Sequence, residues 1–115
     1  MFPGDPPRNR ADVSIPAKLA VDELLWVALD GDTVIGSIMA GYDGHRGWLY
    51  SVAVDPGRRR TGVGAALVRH AERELKALGC IKINLQVRAT NAAVVAFYER
   101  LGFAIEQHIS MGKLL

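Results

Sequence analysis

The pattern of apolar and polar positions changes its period along the chain. Leu24-Leu25-Trp26-Val27-Ala28-Leu29 is a compact apolar run, followed by Asp30-Gly31-Asp32 and then the β-rich run Thr33 to Ala40. Two such runs around Asp-Gly predict a hairpin, because that pair readily takes the left-handed backbone of a tight turn. Tyr42 to Gly47 is rich in turn formers and predicts a loop, and Trp48 to Val54 predicts a third strand. These three strands should form an antiparallel meander. After Asp55-Pro56-Gly57 the period lengthens. From Gly62 to Leu78 the residues Val63, Ala66, Leu67, Ala71, Leu75 and Leu78 fall on one helical face, and Gly79 supplies a stop. Ile81, Ile83, Leu85 and Val87 alternate with Lys82, Asn84 and Gln86, the mark of a half-buried strand. Asn91 to Leu101 predicts a second helix, with Asn91 as its N-cap and Gly102 beyond its end. Phe103–Gln107 and His108–Leu114 are expected as two short closing strands. Upstream, residues 1–12 carry three prolines and alternating charge and read as a flexible arm, with one short helix over Val13 to Val21.

The order strand, strand, strand, helix, strand, helix, strand, strand implies an α/β fold. The strand–helix–strand unit implies a parallel neighbour reached by a crossover. A length of 115 residues predicts one domain over 1–115. Half the residues are hydrophobic and 23% are charged, a globular balance that argues against disorder. The formal charge is +2, too weak for bulk electrostatic binding of nucleic acid. One cysteine, Cys80, leaves no pair for an internal disulfide or a zinc site and fits a reducing, cytoplasmic setting. No apolar run approaches the about 18 residues of a membrane span, and the first residues lack the pattern of a signal peptide.

The chemistry concentrates in Val52-Ala53-Val54-Asp55-Pro56-Gly57-Arg58-Arg59-Arg60-Thr61-Gly62-Val63-Gly64-Ala65. A strand ends, a basic turn follows and a helix begins. A helix start exposes unpaired N–H groups and the positive end of the helix dipole. Gly62 and Gly64 carry no side chains, and three arginines add positive potential, so the segment is a candidate cradle for a phosphate or pyrophosphate. A glycine turn with a solvated basic face would account for the same residues. It is not a Walker loop, for it lacks Gly-Lys-Ser/Thr. It is not the dinucleotide fingerprint either, because Leu67 stands where the third glycine belongs.

Arg59-Arg60-Thr61-Gly62-Val63-Gly64 resembles the Arg/Gln-x-x-Gly-x-Gly/Ala motif of the GNAT superfamily of N-acetyltransferases, and it follows a strand ending Val-Ala-Val-Asp-Pro as in that family. Asn91-Ala92-Ala93-Val94-Val95-Ala96-Phe97-Tyr98-Glu99-Arg100-Leu101-Gly102-Phe103 is similar to the family's Asn-x-x-Ala-x-x-x-Tyr-x-x-x-Gly-Phe segment. The resemblance covers about residues 20–115. Within the superfamily it is nearest the branch of ribosomal-protein alanine acetyltransferases and YpeA-type enzymes, whose features the loop Gly41 to Gly47 and the segment Ser110 to Lys113 share. It implies a mixed, twisted central β-sheet flanked by helices, acetyl-CoA as cosubstrate and transfer of acetyl to a primary amine by direct attack.

Carried over by position, backbone N–H groups of Arg60, Thr61, Gly62, Val63, Gly64 and Ala65, beside Arg59, would hold the pyrophosphate. Val52 and Val54 would pair through their backbone with the pantetheine arm, as an added strand does. Asn91 would touch that arm with its side chain. Tyr98 would donate a proton to the departing CoA thiolate, a role open to a phenol of pKa near 10. From the helix alone, Tyr98 reads first as a core aromatic, and the motif around it reverses that reading.

Two departures accompany the resemblance. The alanine-acetylating branch carries a glutamate as base where this chain has Gln86, which cannot take a proton. The family also begins with a strand and a helix that this chain lacks, and the apolar surface so left open predicts self-association, most simply a homodimer. Two other classes remain open. A non-catalytic acyl-CoA-binding or regulatory module on the same fold is favoured by Gln86 and by the absence of those first elements, and opposed by Tyr98. A nucleic-acid binder built on Arg58, Arg59 and Arg60 lacks interleaved aromatics. His45, His70 and His108 are scattered and form no metal-ligand pair, so no metal is expected. Asp43 and His45 share one loop and read as a turn, with orientation of an amine as the second possibility. Cys80 reads as a small buried hydrophobe.

Overall fold

A computed structural model describes residues 22–59 and 61–115. The expected arm over 1–12, the expected helix over 13–21 and Arg60 lie outside the described residues. The elements in chain order are β1 (Leu25–Asp30), β2 (Thr33–Tyr42), β3 (Gly47–Val54), a 3-10 turn (Pro56–Arg58), α1 (Val63–Ala77), β4 (Ile83–Leu85) and α2 (Ala92–Arg100). The sheet order is β1-β2-β3-β4. The first two pairings are antiparallel and β3–β4 is parallel, so the meander and the crossover are both present. The fold is mixed α/β, an open four-stranded sheet with two helices.

Local chemistry accounts for the boundaries. Asp30 pairs with Thr33 across the hairpin, and Gly31 at φ +60° takes the left-handed conformation that the turn demands. Between β2 and β3, one Asp43 carboxylate oxygen accepts from the backbone N–H groups of His45 and Arg46, each at 2.7 Å. These bonds hold that carboxyl below the usual aspartate range. The Asp43 side chain is thus used in closing the turn. Asp55 caps the 3-10 turn by accepting from Gly57 N–H at 3.0 Å. Asn91 caps α2 by accepting from Val94 N–H at 3.3 Å.

One face of α1 covers one face of the sheet. Leu67, Val68, Ala71 and Leu75 of α1 are buried together with Ile38, Ala40, Leu49 and Cys80. The helix lies so close to β2 that a Cβ on Gly36 would sit 3.0 Å from Leu67 Cδ1 and 3.1 Å from Val63 Cγ1. Leu75 and Ile38 are fully buried, and each contributes about 1.5–3 kcal/mol through the apolar surface it removes from water. Half-buried Phe97, Tyr98 and Leu101 bring α2 onto the same core.

Two expectations are corrected. The strand expected over Ile81–Val87 is regular only at Ile83–Leu85, because β3 runs beside it only from Gly47 to Leu49. The closing strands expected over Phe103–Gln107 and His108–Leu114 do not form, and the whole tail after Gly102 lacks regular structure. Alternation makes a segment competent to pair, but pairing needs a neighbouring backbone edge. Here side chains tie the tail to the sheet: Lys82 Nζ donates to Glu106 at 2.6 Å, Asn84 Nδ2 to Glu106 at 2.9 Å, and Gln86 Nε2 to Ser110 at 2.6 Å.

Candidate active site

The site begins with a change of pairing in β3. Met39 of β2 pairs with Ser51, whereas the next residue, Ala40, pairs with Leu49, so Tyr50 is an extra residue in the ladder. Before this bulge Gly47 donates its N–H toward β4, to Lys82 O at 2.9 Å. After it, Asp55 donates its N–H toward β2, to Ile35 O at 2.8 Å. Successive residues of a strand direct their backbone groups to opposite sides. Counting back from Asp55, Ala53 and Ser51 face β2, while Val52 and Val54 face away from it. On that side β3 has no strand partner beyond Leu49 among the described residues, since β4 pairs only as far as Leu85. The backbone groups of Val52 and Val54 therefore lie on an unpaired stretch of edge at the carboxyl ends of two parallel strands, a common position for ligands in α/β sheets. The bulge is invisible in the sequence, because it depends on a count of paired residues.

Where β3 ends, α1 begins. Gly62 is its N-cap at φ +86°, provides no side-chain cap, and has open space where a Cβ would stand. No acidic residue lies in the first turn, and the first helical bond runs from Ala66 N–H to Gly62 O at 3.0 Å. The N–H groups of Val63, Gly64 and Ala65 thus precede the first bonded donor at the positive end of a 15-residue helix. Exposed Arg59 and Thr61 flank this end. Thr61 donates its hydroxyl to Arg58 O. Arg58 is drawn away from the cradle: its Nη1 lies 2.5 Å from Asp30 Oδ2 at the β1–β2 turn. Gly64 has a purpose that sequence reading did not give. A Cβ there would lie 3.3 Å from Phe97 Cζ and 3.7 Å from Val54 Cγ2, so the glycine admits α2 against the start of α1.

Phe97 continues this contact to Tyr98, with ring centroids 5.0 Å apart, and Tyr98 meets Phe103 at 5.5 Å, both edge to face. Val54, Gly64, Phe97 and Tyr98 therefore form one packed series from the open edge of β3 toward the tail. Burial pushes the Tyr98 phenol above its ordinary value, so it is protonated, and a donor, at neutral pH. Tyr98 lines a trough of about 2050 Å³ between the β4 segment and the tail, with Leu85, Gln86 and Arg88 on its wall. Gln86 donates to Ser110, which leaves its carbonyl oxygen as an acceptor but gives it no basic function. Among the described residues no three His, Cys, Asp or Glu side chains converge as metal ligands, and no helix is long and apolar enough to cross a membrane.

Residues 2–103 match the model of the acetyltransferase (GNAT) family. The chain is 43% identical over 110 residues to an acetyltransferase of Yersinia pestis strain Pestoides F, covering 95% of this chain and 78% of that protein. Among solved structures it is similar to the ribosomal-protein-S18-alanine N-acetyltransferase of Escherichia coli, with 30% identity and a TM-score of 0.71 over 77% of this chain and 57% of the other. The PaiA N-acetyltransferase of Thermoplasma acidophilum, solved with coenzyme A, shares the fold at a TM-score of 0.74 and 24% identity, over 83% of this chain and 60% of the other.

Proposed function

The chain belongs to the acetyltransferase (GNAT) family, and from that premise we propose that it moves an acetyl group from acetyl-CoA to a primary amine by direct attack in a ternary complex. The amine belongs to a small molecule or to a protein N-terminus. The observation that carries this reading is the junction of two backbone surfaces that, among the described residues, have no ladder partner and no side-chain cap. The open edge of β3 at Val52 and Val54 leads directly to the uncapped start of α1. An extended amide-bearing arm suits the first, as an added strand does. A pyrophosphate suits the second, where N–H groups and the helix dipole favour negative charge.

When bound, acetyl-CoA supplies a thioester already reactive toward a neutral amine. The chain supplies alignment, which accounts for most of the acceleration when two reactive groups are held together. Val63, Gly64 and Ala65, with Arg60, Thr61 and Gly62 before them, hold the phosphates, and Arg59 adds charge. Asn91, whose Oδ1 caps α2, keeps its amide nitrogen for the arm. Tyr98 holds the proton that the departing sulfur needs. Gln86 accepts a hydrogen bond from the amine, whose proton leaves through water. Among GNAT branches, the ribosomal-protein alanine and YpeA-type branch fits the motifs best, and the 30% identity to the Escherichia coli structure supports it.

Gln86 also favours a second reading, a non-catalytic acyl-CoA-binding module, because no base occupies that position. Thermal shift and turnover separate the two. Acetyl-CoA at about 100 times its dissociation constant should stabilise the chain by about 2.7 kcal/mol. Gly62→Asp, which adds negative charge in open space, should abolish that shift while the protein still folds. A folded sample that shows no shift overturns the cofactor assignment. A shift without acetyl transfer to any amine, amino acid or peptide acceptor leaves the binding module as the answer.

A further inference from the structure

Tyr50, the extra residue of β3, is a large aromatic seated on an open face of the sheet. It is 62% exposed. Gly41 of β2 is its seat: a Cβ there would stand 2.6 Å from Tyr50 Cε2, 2.9 Å from Oη and 3.2 Å from Cζ. The ring therefore lies over the Gly41 backbone, which only a residue without a side chain permits. Alternation identifies the face. Gly36, Ile38 and Ala40 of β2 turn toward α1 and its core, so Gly41 turns to the opposite face. Trp48 pairs with Gly41 on one side and with Asn84 on the other, and paired residues share a face. Gln86 follows Asn84 by two positions. Tyr50 and Gln86 thus flank, on the face away from α1, the place where β3 and β4 part.

We propose that Tyr50 determines acceptor specificity, as the platform for a primary amine whose short arm ends in a planar apolar group. This rests on the acetyltransferase reading, which puts the amine at Gln86. Neighbouring strands lie about 4.8 Å apart, so an amine at the mouth between β3 and β4 stands roughly 5–10 Å from a ring lying over β2. A two-carbon arm spans that distance. One side of the Tyr50 ring covers Gly41, and its exposed side is available for stacking with a second ring. The surroundings suit such a molecule better than a polycation. Val27, Ser37, Met39, Trp48, Ser51 and Ala53 share this face by their pairings, and none is charged. Lys82 and Glu106 close on each other at 2.6 Å, so that carboxylate is committed and does not hold a second ammonium. Covering a cross-strand glycine is also a structural device of sheets. A ring with that purpose alone would affect stability without favouring one amine over another.

The dissociation constants of 2-phenylethylamine and n-butylamine for the CoA-loaded protein, measured by NMR titration, test this, with steady-state acetylation of both amines as the second reading. 2-Phenylethylamine should bind more tightly by roughly 3- to 10-fold. Tyr50→Ala should bring the two constants within about twofold of each other, and Tyr50→Phe should keep them apart. Val27→Ser, on the same face, should also keep them apart. Should Tyr50→Ala unfold, Tyr50→Leu covers Gly41 without a planar face and makes the same comparison. Equal binding of the two amines by the wild type overturns the proposal, as does a preference that persists in the folded alanine or leucine variant. Ring-dependent binding without acetylation of either amine would overturn the acetyltransferase reading and leave the platform standing. Acetylation of both amines at equal efficiency would do the reverse. If CoA itself does not bind, the same titration of the free protein decides on the platform.

Discussion

Gly64 and Phe97 meet where the two helices come together. A single added carbon on the glycine would stand 3.3 Å from the edge of the phenylalanine ring. That contact links the start of α1 to the helix that carries Tyr98, so the phosphate cradle and the proton donor are held by one packing interface.

The first prediction follows from that contact. Gly64→Leu should destabilise the protein by about 1–3 kcal/mol through overpacking. Phe97→Ala should cost about 3–5 kcal/mol through a cavity if the site does not collapse. The double variant should be more stable than the sum of the two losses implies, with a coupling of about 0.5–3 kcal/mol. Denaturant unfolding of the four proteins measures it, and strict additivity would contradict the contact.

Tyr98→Phe should leave folding and acetyl-CoA binding nearly unchanged and lower turnover by roughly 10- to 1,000-fold, within the range of general-acid contributions. The fall should appear in kcat, as for an interaction made in the transition state. Full activity of Tyr98→Phe on a verified acceptor would show that sulfur takes its proton from water.

The same phenol has an alkaline signature. Burial raises its folded pKa above that of the unfolded chain. Its neutral form therefore contributes stability fully below pH about 10, and that contribution is lost as pH rises through the folded value. Absorbance titration at alkaline pH should show a tyrosine step displaced above the ordinary phenol value, and that step should vanish in Tyr98→Phe.

The neighbouring arginines should separate. Arg58 is committed to Asp30, whereas Arg59 is exposed beside the helix start. Arg59→Ala should weaken acetyl-CoA binding several-fold and flatten its salt dependence. Arg58→Ala should change cofactor affinity by less than about twofold, with any loss confined to hairpin stability, where an exposed ion pair contributes about 0–1 kcal/mol. Calorimetric titration at two salt concentrations distinguishes them.

Acid should release the tail. Lys82 beside Glu106, helped by Asn84, holds the Glu106 carboxyl below the usual glutamate range. A depressed value contributes stability that is present above the unfolded pKa and lost as pH falls through the folded one. Backbone order parameters of the tail should fall below pH about 4 in the wild type. Glu106→Gln should show the lower values already at neutral pH.

The meander, the crossover and both helices were legible because their periods persist over many residues and end at Gly31, Gly79 and Gly102, each at positive φ. What stayed hidden was relational. The alternation of Ile105, Ile109 and Met111 marks a segment able to pair, yet pairing depends on an edge more than twenty positions away. Arg58 reads as part of a basic run until Asp30 is found beside it. Gly64 reads as a ligand-approach glycine until Phe97 arrives from another helix. The phosphate-facing helix start was legible, since Gly62 and the absence of acid in the first turn are local facts. The orientation of Val52 and Val54 was not, because it turns on which residue of β3 is left over.

The alternation of β3 has a consequence for how this chain can drift or be engineered. The edge offered by Val52 and Val54 is made by backbone parity, so it survives almost any apolar replacement at either position. It survives even the loss of Tyr50, because Ser51 would then follow Leu49 in regular alternation and keep Met39 as its partner. One paired residue added between Ser51 and Val52 would instead turn the two open backbone units inward to β2 and expose Ala53. Changes of length within Ser51–Val54 are therefore the dangerous events for this site, and substitutions the tolerated ones. Mutant libraries aimed at changing the acceptor can vary the side chains around the opening freely while the length of this strand is kept fixed.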